Sequence, residues 1–152
     1  MGTTLYTALL TPDGENIRQV WLDLLQRKVP LSILLQGNYI GHPRLNYDLV
    51  SMVKGEPSDE ISAHSKAVSG VFSSLIKKYD KLEIRLAQRI ITHSAFIAYT
   101  KGFKVDIQVH PYAGHPKTGL WTTFSATTQT AYHSAVAGPI GLMWTKALKY
   151  DA

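Results

Sequence analysis

Phe96–Tyr112, FIAYTKGFKVDIQVHPY, is the stretch on which the fold class turns. Phe103, Val105, Ile107 and Val109 alternate strictly with Lys104, Asp106, Gln108 and His110, which predicts a half-buried strand with one apolar and one polar face. Lys101-Gly102 supplies the turn that feeds it, so Phe96–His110 is expected to form a β-hairpin. Downstream, Leu120–Tyr132 is rich in Thr and aromatic residues and reads as another strand. Gly138-Pro139 then interrupts the last apolar segment before Leu142–Tyr150.

Upstream of the hairpin the periodicity changes. Thr3–Leu10 is short and partly alternating, which suits a first strand closed by the Thr11-Pro12-Asp13-Gly14 turn or cap signal. Ile17, Val20, Trp21, Leu24 and Leu25 recur at helical spacing, and Pro30 closes that segment. Leu31–Gln36 and Leu45–Val53 read as two short strands, with Gly41, His42 and Pro43 between them and turn signals in Lys54–Ser58. Ser58 before Asp59 and Glu60 marks a helix start, and Ile61, Val68, Val71, Phe72, Leu75, Ile76 and Tyr79 carry the helix over about Asp59–Tyr79. In Lys81–Arg89 the apolar residues alternate like a strand while the residue types favour a helix; strand is the reading adopted. Two early helices and mostly late strands predict an α+β domain over residues 1–152, an antiparallel sheet with two helices packed on one side.

Composition excludes several classes. The 152 residues are 45% hydrophobic, enough for one buried core, and Gly and Pro are too few for a collagen-like or disordered chain. Without cysteine there is no disulfide, no thiolate metal site and no cysteine nucleophile, and a reducing compartment is expected. The longest run free of charged and polar residues, Ala135–Trp144, is interrupted by Gly and Pro and is half the roughly 20 residues that span a bilayer. Met1–Tyr6 lacks a signal-sequence pattern, and Tyr6 stands where N-myristoylation wants Ser or Thr.

Charge is the more informative quantity. Between Lys77 and Lys104 lie seven cations (Lys77, Lys78, Lys81, Arg85, Arg89, Lys101 and Lys104) and two acids, Asp80 and Glu83, so this segment holds the whole formal charge of +5. Lys81, Arg85 and Arg89 stand four apart, on one face of a strand or of a helix, opposite Leu82, Ile84 and Leu86 in the strand reading. Such a stripe attracts the phosphates of lipid or nucleic acid, or else is a solvated face that keeps the chain soluble. Conversely, Val105–Thr145 carries only Asp106 and Lys117 as charges. Its aromatic residues Trp121, Phe124, Tyr132 and Trp144, with Met143, either fill a core or form a self-association surface beside a neutral, Thr-lined sheet face.

Local motifs for catalysis are missing. The six histidines have no HExxH spacing, there is no GxSxG, Walker A or GxGxxG, and Asp59-Glu60 is explained by its helix start. The expectation is a non-enzymatic chain without cofactor or metal. Two alternatives stay open. One is a single-stranded RNA or other nucleic-acid module, in which Tyr79, Phe96, Tyr99 or Phe103 would stack bases beside the cations. The other is a small enzyme or ligand-binding domain around His110 and His115, which flank a loop.

In element order, Phe96–Tyr112 resembles rhabdovirus matrix proteins, in which an apolar strand, a Lys-Gly turn and an alternating strand follow one another. The helix at Ile17–Leu25 and the His42-Pro43-Arg44 turn before Leu45–Val53 are similar to that family as well. The resemblance covers about two thirds of the chain by element order. It implies a viral structural protein of the virion and host cytoplasm, peripheral on the inner membrane face, that binds anionic membrane, self-associates and engages nucleoprotein or RNA. The lysine-rich arm and PPxY motif that members often carry are not found in these residues.

Overall fold

The computed structural model describes residues 9–36, 51–52, 55, 57–88, 91, 93–99, 104–111, 122–127 and 130–150. Pro12–Gly14 forms one 3-10 turn that leads directly into helix α1, Glu15–Gln26. Proline's fixed φ and missing N–H suit the first position of such a turn. Arg18 fastens the junction, its Nη1 donating to the Leu9 carbonyl at 2.9 Å. At the other end Val29 N–H bonds the Leu24 carbonyl and Lys28 N–H bonds the Leu25 carbonyl, with Lys28 at φ 57°. This is a Schellman cap with lysine in the left-handed position that glycine ordinarily takes.

Strand β1 (Leu31–Gln36) follows, then helix α2 (Ser58–Lys78) and strand β2 (Leu82–Ala87). β1 and β2 pair in parallel, from Leu31 opposite Leu82 to Gln36 opposite Ala87. A parallel pair needs a crossover of a dozen or more residues, and the long helix α2 lies in that connection. Strands β3 (His93–Tyr99), β4 (Lys104–Pro111) and β5 (Thr122–Thr127) form a second, antiparallel sheet in sequence order. Helix α3 (Ala131–Lys146) and the two-residue strand β6 (Leu148–Lys149), antiparallel to β2, complete the described chain.

The core lies between the β1–β2–β6 sheet and the first two helices. Leu35, Leu82 and Ile84 meet Leu25 of α1 and Val68 and Phe72 of α2, with Trp21, Leu31, Ile33, Leu75 and Leu86 around them. Each fully buried side chain of this size contributes about 1.5–3 kcal/mol of transfer free energy. Tyr150 bolts the last strand to α2: its hydroxyl donates to the Ser69 carbonyl at 3.0 Å and accepts from Ser73 Oγ at 3.0 Å, while its N–H bonds Ile84. On the opposite face of β2, where Glu83 and Arg85 point, Arg85 meets Trp144 of α3.

The α+β expectation holds, as do α1, β1, α2, β2 and the β3–β4 hairpin. The single antiparallel sheet with two helices on one side does not. The sheet carrying the core is mixed, because α2 connects two parallel strands, and the hairpin belongs to a separate sheet. A third helix replaces the end of the predicted Leu120–Tyr132 strand and runs through Gly138-Pro139. Thr130 caps it, accepting the His133 N–H at 3.2 Å. Glycine before the proline removes the Cβ that would clash with the proline ring in a helix, so a Gly-Pro pair that ordinarily marks a break is carried inside one. Leu9 and Leu10, assigned to a first strand, are helical, and residues 3–8 lie outside the described residues. Of the predicted strand Leu45–Val53 only Ser51 and Met52 are described. They are helical, and the Gly55 N–H bonds the Ser51 carbonyl at 2.7 Å with Gly55 at φ 70°.

Candidate functional site

The parallel pairing of β1 and β2 determines where the charge collects. Each strand is entered from the C-terminal end of a helix, α1 before β1 and α2 before β2, so both helix ends lie at the same edge of the sheet. The Leu31 N–H bonds the Lys81 carbonyl at 2.9 Å across that edge. Arg27 and Lys28 stand at the end of α1; Lys77 and Lys78 close α2, and Lys81 precedes β2. All five are exposed, and among the described residues none is tied into an ion pair. Lys78 Nζ lies 5.2 Å from the centre of the half-buried Tyr79 ring. Asp80 is the acid within the edge, and Asp23, one turn back on α1, is engaged by Gln19 Nε2 at 2.9 Å.

Two helix C-termini carry partial negative charge at this edge, and the cations offset it. That electrostatic pairing is local, within the last turn. Five exposed cations against the one acid Asp80 leave a net positive charge at this edge, which favours anionic groups.

Arg85 behaves differently. It is half-buried; its Nε donates to Glu83 Oε1 at 2.8 Å and its Nη2 lies 2.7 Å from the same oxygen. Its Nη1 donates to the Trp144 carbonyl at 3.1 Å, and its guanidinium stacks 4.7 Å from the centre of the Trp144 ring. Arg85 is therefore committed to holding α3 on the sheet. Lys149 stands opposite Arg85 in the β2–β6 register, and Lys146 ends α3; both are exposed. Arg89 and Lys101 lie outside the described residues, and Lys104 opens β4 opposite Thr127.

Of the four aromatic candidates for self-association, Trp144 is half-buried against Arg85. Phe124 stands in β5 opposite Ile107, Tyr132 is in the first turn of α3, and Trp121 lies outside the described residues. Among the described residues a neutral exposed row runs along α3: Ala131, Ala135, Gly138 and Leu142 are exposed at spacings of four, three and four. A Cβ placed on Gly138 or Gly141 would have nothing within 4 Å beyond its chain neighbours and the helix's own backbone, and Leu142 is 57% exposed. A helix that is apolar all round is ordinarily buried on every side.

Tyr99, named as a base-stacking candidate, is 61% exposed, with its hydroxyl 3.2 Å from His133 Nε2 and its ring edge-on to that imidazole. Of the two histidines in the ligand-domain alternative, His110 is on β4 opposite Ser94, and His115 lies outside the described residues. Among the described residues no three His, Asp or Glu side chains gather as a metal site.

Sequence reading missed Arg27, Lys28, Lys146 and Lys149. Their partners are distant in the chain, and only the strand pairing brings them near the predicted cluster. One signal was present: Leu31–Gln36 is an apolar run without clean alternation, the pattern of a strand buried on both faces in a parallel sheet. Among the described residues no helix is long and apolar enough to cross a membrane. No family model, curated protein or solved structure matches the chain.

Proposed function

We propose that this chain is a non-enzymatic, matrix-like structural module that binds an anionic membrane surface through the cationic edge and self-associates through the outer side of α3. The observation that carries the reading is the convergence of Arg27, Lys28, Lys77, Lys78 and Lys81, all exposed, at one edge of the sheet. Each cation near an anionic bilayer contributes about 1 kcal/mol, so one copy binds weakly and salt dissociates it. Self-association multiplies such contacts without adding new ones, which is why the two surfaces belong to one function.

Co-sedimentation with phosphatidylserine and phosphatidylcholine vesicles tests the reading, at low and at physiological salt, with single-stranded RNA as competitor. The reading expects binding to the anionic vesicles alone, weakened by salt and barely displaced by RNA. Absence of vesicle binding at both salts contradicts it. A steep salt dependence on RNA without any vesicle response assigns the same cations to nucleic acid instead.

A further inference from the structure

Between α1, α2 and the β1–β2 pair lies a void of about 150 Å³, bounded among the described residues by Leu9, Arg18, Trp21, Leu25, Val71 and Phe72 with their neighbours. Its inner surface is wholly apolar, so Arg18 contributes its aliphatic stem to the wall and carries its guanidinium clear of it. Two carbonyls, those of Leu9 and Thr11, take Arg18 Nη1, at 2.9 and 3.5 Å. Nε and Nη2 have no protein partner among the described residues. A void of this size and lining stays dry and accepts an apolar group of about six carbons.

We infer that this void is a binding site for a small amphiphilic anion, whose short acyl or aryl tail enters the core while its carboxylate pairs with the free side of the Arg18 guanidinium. A planar guanidinium with two adjacent N–H groups to spare matches a carboxylate in geometry as well as charge. The site is on the core side of the sheet and does not depend on the cationic edge. It makes ligand occupancy a determinant of how firmly α1 is held against α2, since the void lies between them.

Calorimetric titration of the full chain with octanoate below its micellar range, with octanol and with acetate, tests the inference. Octanoate and octanol are expected to bind and acetate is not, with octanoate at least threefold tighter than octanol. Val71→Phe, which fills the void, is expected to abolish both. Arg18→Met, which keeps the stem and removes the charge, is expected to equalise the two; circular dichroism and the retained octanol binding show that it remains folded. Absence of binding by both octanoate and octanol overturns the site, and so does octanoate binding undiminished in a folded Val71→Phe protein. Retention of the octanoate preference in Arg18→Met overturns the role of Arg18.

Discussion

Arg85 and Lys28 show how differently two cations of one chain are used. Arg85 spends its donors on Glu83 and on the Trp144 carbonyl and its flat face on the Trp144 ring. Removing it strips a charge-assisted hydrogen bond and a cation–π contact from the C-terminal end of α3. Arg85→Met is therefore expected to lower unfolding free energy by about 1–2 kcal/mol in urea titration, while vesicle binding at a temperature where the protein is folded stays near the parent value. Lys28 has an exposed side chain and a strained backbone, φ 57° at a helix cap. Lys28→Gly is expected to raise the unfolding free energy by up to about 1 kcal/mol, because the left-handed conformation costs an L-residue that much, and to weaken vesicle binding by removing one edge cation. Opposite movement of stability and binding in one variant separates the two roles. At this scale the sequence was partly legible: the cluster from Lys77 onward is visible as composition. The withdrawal of Arg85 from it is not, since Trp144 is 59 positions away along the chain.

Among the elements, α3 departs furthest from its sequence pattern. Gly138, Pro139 and Gly141 all oppose a helix locally, yet Thr130 caps it and Arg85 holds its last turn. The two glycines are expected to answer substitution oppositely. Gly141→Ala meets open space and is expected to gain about 1 kcal/mol in thermal or urea unfolding. Gly138→Ala meets the proline ring that follows it and is expected to gain nothing or to destabilise. Leu142→Glu, on the exposed side, is expected to leave stability within about 0.5 kcal/mol and to shift sedimentation velocity from associated species to monomer. Helices α1 and α2 and strand β4 were legible because their periods were clean: 3.6 in Ile17–Leu25 and in Ile61–Tyr79, 2 in Phe103–Val109. Alternation within Leu82–Ala87 likewise indicated a strand, but alternation reports which face is buried and says nothing about the direction of the neighbouring strand. The only hint of the parallel pairing of β1 with β2 was the unalternating apolar run of Leu31–Gln36, which names no partner strand.

At the scale of the whole molecule that one pairing has the largest consequence. Two helix ends separated by 50 residues of sequence, Lys28 and Lys78, come to one edge because their strands run in the same direction. An antiparallel pair would send them to opposite ends and leave each with two or three cations. The proposed membrane surface thus needs Arg27 and Lys28 to act together with Lys77 and Lys78. The most direct test is co-sedimentation of phosphatidylserine vesicles with the parent chain, with Arg27→Glu/Lys28→Glu and with Lys77→Glu/Lys78→Glu, at matched salt and after circular dichroism has confirmed that each variant is folded. Comparable loss of binding in the two pairs is the predicted result. Full binding by Arg27→Glu/Lys28→Glu beside loss in Lys77→Glu/Lys78→Glu would contradict a shared edge.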